Sequence, residues 1–397
     1  MQTSSEATPT SSQSVMPPSN DLLIPWAERD WDSSEVFVDS DAYYCSIIKL
    51  IEQASKEVIL SAYIFNDDVS GHRFINALAA AAQRGIKVLV LLDGVGIMAN
   101  STRLIHALTN ANISFRIFHP LPWQPMAYAY RLRRSSWIGD VIFCLLRINK
   151  RNHSKLVIID RTYLACGSSN ISDDHLSSEH GGRNWHDYNT IVSGPTVADI
   201  AETFTDLWHY RKPSFGRGLF RHYWNNISQS LRSQKNQLLL NNILNARKRL
   251  WIINPYFSPT RKVLEAICET ANRGVDVRLI VPRKSDVVLF PLLTSSYYAD
   301  LLKAGVLIYE YVPAILHAKV MLIDEKCLLG SSNLNHRSML HDVELDIIIE
   351  NTQCIEKLKH QFLADQSASE PVFKEDVKLK GRRRFAGGLI RLARYWL

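Results

Sequence analysis

The strongest constraint on this chain is that it writes one block twice. HSKLVIIDRTYLACGSSN, from His153 to Asn170, returns as HAKVMLIDEKCLLGSSN, from His317 to Asn333. His, Lys, Ile, Asp and the whole GSSN fall in register, apart from one extra residue before the first glycine. A second matching pair lies upstream. EVILSAYIF, a helix-like FINALAAAAQRG and IKVLVLLDG precede the first block; RLWIINPYF, KVLEAICETANRG and VDVRLIVP precede the second. In each, an apolar β-rich run leads to an amphipathic helix that stops at Gly85 or Gly274, since glycine readily takes the left-handed conformation that ends a helix. Another apolar strand follows at once. Duplication on this scale constrains architecture before any single residue does. The expected fold is α/β, with two homologous halves, each a mixed β-sheet flanked by helices.

At 397 residues and 46% hydrophobic, the chain has room for both halves. They are placed at 23–212 and 237–366, joined by a polar and aromatic connector at 213–236. Residues 1–22 are rich in Ser, Thr and Pro without an apolar stretch, and read as a disordered tail instead of a signal peptide. Residues 367–397 read as a basic amphipathic tail. No apolar run reaches the roughly 18 residues needed to span a bilayer. The nearest, from Trp137 to Ile148, is short and carries Asp140 and Arg147. Six scattered cysteines without a CxxC spacing argue against a structural zinc site or a disulfide framework. The net charge of +7 favours an anionic partner.

The repeated block carries chemistry. On a strand, His153 and Lys155 project from one face while Leu156 and Ile158 point into core, and His317 and Lys319 repeat the arrangement. A His beside a Lys suits a core poorly, because burying an unpaired ammonium costs several kcal/mol. It suits a phosphate well: Lys neutralises the non-bridging oxygens, and His serves as nucleophile or proton donor near neutral pH. Asp160 and Asp324 fall at the strand ends, where a carboxylate can fix neighbouring groups or cap the turn. Chance predicts about 0.03 matches to HxKxxxxD per chain, so two, each followed by GSSN, are not coincidence.

HxKxxxxD followed by GSxN, twice in one chain, resembles the phospholipase D superfamily over most of residues 37–366. The resemblance implies halves packed about a pseudo-two-fold axis around one shared site. One His attacks phosphorus to give a phosphohistidine, and the other protonates the leaving alkoxide and then activates the acceptor hydroxyl. His153, Lys155, Asp160, His317, Lys319 and Asp324 are then the catalytic set, with no cofactor and no metal. The family also uses an acidic residue some way beyond each His to hold its imidazole. The matching positions are Asp187 in NWHDYN and Glu344 in DVELDI; Asp173 and Asp174 are rivals for the first. Ser168, Ser169 and Asn170, with Ser331, Ser332 and Asn333, would donate to phosphoryl oxygens. The alternative is that GSSN is only a turn. NHRSMLHDVE departs from the family pattern at Asn335 and His341.

The first-half stretch GSSNISDDHLSS…NWHDYNTIVSGPTV is similar to bacterial cardiolipin synthases. That likeness implies anionic phospholipid substrates, with phosphatidylglycerol converted to cardiolipin and glycerol released. It also implies a peripheral position on the cytoplasmic face of the bacterial inner membrane, and no nucleic acid partner. A hydrolytic phospholipase D, a nuclease of the same superfamily and a degenerate lipid-binding scaffold are the alternatives. KGRRRFAGGLIRLARYWL at the C-terminus places Phe385, Leu389, Leu392 and Trp396 at helical spacing among arginines, which suits an anionic bilayer surface or a helix docked on its own domain. The aromatic and basic segment from Trp123 to Arg151 is either a lip beside the site or an insertion packed on protein.

Overall fold

The computed structural model describes residues 31–121, 123–132, 139, 142, 149–211 and 222–375. The N-terminal tail, nearly all of the Trp137–Ile148 run and the basic C-terminal segment lie outside the described residues.

The first half forms a seven-stranded sheet from β1 (Ser33–Phe37), β2 (Glu57–Ala62), β3 (Lys87–Asp93), β4 (Ser114–Phe118), β5 (Leu156–Ile159), β6 (Tyr163–Gly167) and β7 (Asn189–Ser193). Its order is β1-β7-β6-β5-β2-β3-β4. The second half forms an eight-stranded sheet from β8 (Tyr223–Asn225), β9 (Arg249–Ile253), β10 (Asp276–Pro282), β11 (Leu307–Tyr311), β12 (Val320–Ile323), β13 (Lys326–Gly330), β14 (Leu345–Ile349) and β15 (Ser369–Pro371). Its order, β15-β11-β10-β9-β12-β13-β14-β8, repeats the first with one strand added at the edge. Both sheets are mixed, as the duplicated pattern predicts. β2, β3 and β4 are parallel, as are β9, β10 and β11, while β5 and β12 run antiparallel to β2 and β9.

Strands buried on both faces need continuous apolar runs, and β2 and β3 supply them: EVILSA is buried throughout and KVLVLLD everywhere beyond Lys87. The crossover helices Val69–Gln83 and Arg261–Asn272 start where Asp68 accepts from Gly71 N and Thr260 accepts from Val263 N. They end at Gly85 (φ +83°) and Gly274 (φ +87°). A side chain there would meet nothing nearby, so the conformation, not crowding, calls for glycine.

Three apolar clusters result among the described residues. One lies within each half, and the third joins the halves, bringing Ile59, Leu89 and Ile158 of the first sheet together with Trp251, Ile253 and Leu322 of the second. Each fully buried Leu or Ile contributes about 1.5–3 kcal/mol, so the two sheets are joined by core and not merely by a linker.

Two segments depart from the sequence expectation. Tyr223–Asn225, in the stretch read as connector, is edge strand β8 against β14, and helix Gln229–Asn245 begins in the same stretch. Ser369–Pro371, read as tail, is β15 against β11.

Candidate active site

Strand directions put the chemistry on one edge of each sheet. Leu156 pairs with Ser61 near the C-terminal end of β2, so His153 and Lys155, just before β5, lie at that edge. Val320 pairs with Ile253 at the end of β9 and places His317 and Lys319 in the same way. In mixed sheets of this kind the crevice beyond the carboxyl ends of parallel strands is the usual site position.

The halves meet here through backbone pairing. Asn152 bridges to Val343, with His153 N donating to Val343 O (2.8 Å) and Val343 N to Arg151 O (2.7 Å). His186 bridges to Leu316, and its carbonyl accepts from His317 N (2.8 Å) and Ala318 N (2.9 Å). The segment carrying each histidine is therefore laid beside the segment carrying the other half's acidic residue. The consequence is a crossed arrangement. His153 Nδ1 lies 3.0 Å from Glu344 Oε2, and His317 Nδ1 lies 2.8 Å from Asp187 Oδ1. The family resemblance had attached each carboxylate to the His preceding it in sequence; in the fold the partners are exchanged.

With Nδ1–H given to a carboxylate, each ring presents Nε2 as its remaining nitrogen. Each lysine folds back on its own histidine: Lys155 Nζ donates to His153 O (2.9 Å) and Lys319 Nζ to His317 O (2.6 Å). All four side chains are buried.

GSSN serves these carboxylates. Ser168 Oγ donates to Asp187 Oδ1 (2.6 Å) and Ser331 Oγ to Glu344 Oε2 (2.5 Å). Both hydroxyls are thus committed, instead of being free for phosphoryl oxygens as the sequence suggested. Ser169 accepts from Asn189 Nδ2 (2.8 Å), and Ser332 Oγ donates to Asp346 Oδ2 (2.6 Å). The glycine of each motif lets the next strand come close: a Cβ on Gly330 would sit 2.3 Å from Leu345 O, and one on Gly167 would sit 2.7 Å from Tyr188 O. Asn170 Oδ1 accepts from Ile64 N (3.3 Å), and Asn333 is buried beside Lys319 and Ser338 in a small cavity.

Asp160 and Asp324 lie elsewhere. They sit at the opposite ends of β5 and β12, on the order of 15–20 Å along the chain from the site. Asp160 accepts from the backbone N–H of Ser55 (2.8 Å), Lys56 (2.7 Å) and Glu57 (3.0 Å). Asp324 does the same for Arg247, Lys248 and Arg249. Both have left-handed backbones (φ +53° and +51°), which Asp tolerates in a turn. Their geometry is that of clasps holding the start of β2 and β9, not of groups that reach a substrate. The rivals Asp173 and Asp174 are also engaged elsewhere. Asp173 accepts from Ser70 N (2.8 Å), and Asp174 pairs with Arg183 (3.1 Å).

The sequence profile described as "Cardiolipin synthase, PLD-like domain" matches residues 47–208 and 239–366. The chain belongs to this phospholipase D-like family. Cardiolipin synthase from Clostridium perfringens strain SM101 is 29% identical over 378 residues, covering 90% of this chain and 75% of that protein. Minor cardiolipin synthase ClsB from Bacillus subtilis strain 168 is 29% identical over 359 residues, covering 87% and 85%. In fold, the chain is similar to phosphatidylserine synthase from Haemophilus influenzae, with a TM-score of 0.70 at 14% identity over 92% of this chain and 95% of that one.

Electrostatics distinguish the groups of this phospholipase D-like site. Burial, then repulsion from Lys319, pushes Lys155 down to about 7; burial pushes Lys319 down to about 8. Burial and the lysines also depress both imidazoles, His317 to about 3. Burial raises Glu344, against the pull of Lys155 and Lys235. Asp187 is driven the other way: burial opposes its charge, but His175 and His317 hold it well below the usual range.

Four site neighbours were not singled out from sequence. His175 Nδ1 meets Asp187 Oδ2 (2.5 Å) while its Nε2 accepts from Asn170 N (3.2 Å). Ser338 takes the equivalent place in the second half, donating to Glu344 and accepting from Asn333 N (3.1 Å). His175, Asp187 and His317 bring ligand-type atoms within 4.8 Å of one another, but these groups already satisfy each other by hydrogen bonds. Tyr63 packs its ring 4.9 Å from His153, and Tyr256 sits 6.2 Å from His317. The signal for the tyrosines was present in SAYIF and NPYF, which end the two matched strands.

Proposed function

We propose that this protein transfers a phosphatidyl group from one phosphatidylglycerol to the hydroxyl of another, giving cardiolipin and free glycerol. The observation that carries the reading is the crossed pair of His-carboxylate contacts, which joins a histidine-lysine pair from each half into one site. The cardiolipin synthase names of the relatives supply the lipid.

By the family resemblance, His153 is the nucleophile. Its Nε2 attacks phosphorus, the bond from phosphorus to the headgroup glycerol oxygen breaks, and protonated His317 gives that oxygen its proton. The anionic phosphodiester raises the depressed pKa values around it, which is how His317 comes to carry a proton when substrate is bound. The hydroxyl of a second phosphatidylglycerol then attacks the phosphohistidine, returns its proton to His317 and frees His153. Lys155 and Lys319 neutralise the non-bridging oxygens throughout, and Asp187 and Glu344 hold the rings.

One phosphodiester is exchanged for another, so the outcome depends on which hydroxyl arrives first. A dry site and an acceptor concentrated in the membrane plane favour lipid over water. Among the described residues, no helix is long and apolar enough to cross a membrane, and the reading places the protein peripherally on the cytoplasmic face of the inner membrane. Incubation with phosphatidylglycerol vesicles and mass analysis of every product tests it. Cardiolipin with equimolar glycerol supports the transferase; phosphatidic acid as the main product at every lipid density makes the enzyme a hydrolase.

A further inference from the structure

Single exposed apolar side chains are ordinary on a protein surface, but a contiguous apolar tip is not. Between β10 and helix Phe290–Ser295, the loop exposes Val287, Val288 and Leu289 in succession, with Val288 80% exposed. β10 is parallel to β9, so the loop leaves the same sheet edge at which His317 and Lys319 stand.

The tip is tied down on both sides, and both ties go to one residue. Before it, the Asp286 carboxylate accepts from Tyr256 Oη (2.7 and 2.8 Å). After it, the buried Phe290 ring packs 4.9 Å from the ring of Tyr256. Tyr256 in turn faces His317 and lies 5.8 Å from Lys319 Nζ. Three aliphatic side chains are thus held in water by a framework that ends on the catalytic pair.

The equivalent loop in the first half, after β3, exposes Met98, and the segment after β4 exposes Trp123 at 62%. These also leave the carboxyl ends of parallel strands. Lys284 precedes the tip, and Lys262 opens the helix that follows β9; both are exposed.

We infer that Val287–Leu289 is a membrane-docking tip that enters the interface of an anionic bilayer and sets the site at headgroup level. This rests on the proposed lipid substrate and adds the surface by which the protein meets it. Apolar side chains at the tip, with exposed lysines at the same end of the sheet, match a boundary that is hydrocarbon inside and negative outside. A protein partner would accept the apolar tip equally well but gives no reason for the lysines or for the ties to Tyr256.

The test places a Val288→Trp probe in the full chain and adds vesicles of phosphatidylglycerol and phosphatidylcholine, with and without brominated acyl chains. Tyr163→Trp, at the opposite edge of the first sheet, is the control. Quenching by brominated lipid beyond that of the wild type is expected for the first probe and absent for the second. Val288→Asp should weaken vesicle binding about tenfold or more, roughly the transfer energy of one buried aliphatic group, and lower turnover on vesicles in proportion. Turnover of monomeric short-chain phosphatidylglycerol should be unchanged. An unquenched probe, or Val288→Asp with full vesicle binding, overturns the docking tip even if cardiolipin is made. Quenching without cardiolipin overturns the proposed reaction and leaves the tip in place.

Discussion

His153 and Glu344 stand 3.0 Å apart across the boundary between the two halves. The contact follows from main chain: Val343 is bridged to the residue before His153 and so delivers the next side chain to its imidazole. The same relation between His186 and His317 delivers Asp187. Neither half can complete its own histidine, so the site exists only when the halves are assembled.

This crossing predicts which imidazole responds to which carboxylate. In ¹⁵N spectra of labelled histidines, Glu344→Gln should shift the ring nitrogens of His153 and leave His317 nearly unmoved, while Asp187→Asn should do the reverse. Each substitution should also lower kcat by roughly 10²–10⁴, because tautomer and imidazolium both lose support. Responses within the same half would contradict the arrangement.

Asp160 separates a structural role from a chemical one. Burial works against its charge, but the hydrogen bonds from Ser55, Glu57 and Lys56 outweigh it and hold the carboxyl below its ordinary value. Asp160→Asn keeps the tolerance for a left-handed backbone and removes the charge. It should cost about 1 kcal/mol, read as a lower denaturation midpoint, with kcat of the folded enzyme unchanged. A large loss of kcat without loss of stability would return Asp160 to the catalytic set.

The two-half architecture and the histidine-lysine pairs are legible in the sequence because they are local: a repeated block, alternating side chains and glycine helix stops. The crossing is not legible. Asp187 follows His153 in sequence, and only the long-range bridge between His186 and Leu316 assigns it to His317. The catalytic weight given to Asp160 and Asp324 came from a motif spacing that places them at the far end of a strand. β8 and β15 were missed because strands of three residues, one of them Ser-Glu-Pro, gain their order from the neighbour they pair with. His175 was passed over although it lies five residues beyond Asn170, where the second half has Ser338 five beyond Asn333.

The lysines predict a proton signature. With Lys155 near 7 and Lys319 near 8 against an ordinary value of 10.5, the folded protein releases protons that the unfolded chain keeps. Between about pH 7 and 10.5 the unfolded state binds more protons, so the lysines make stability rise with pH in that window. Anion binding has the opposite demand, since it needs both ammoniums charged, and should weaken as pH rises through 7–8. Calorimetric titration with tungstate near pH 8, in buffers of different ionisation enthalpy, should show proton uptake that Lys155→Met reduces. Binding without uptake would mean that the lysines are already charged.

Stereochemistry at phosphorus reads the double displacement at one shared site directly. Attack by a histidine inverts the phosphorus centre, and attack by the acceptor hydroxyl inverts it again. Phosphatidylglycerol made chiral at phosphorus with oxygen isotopes, converted by the enzyme and analysed in the product diester, should therefore show retention of configuration. Inversion would mean a single direct displacement, with no phosphohistidine, and would contradict the account.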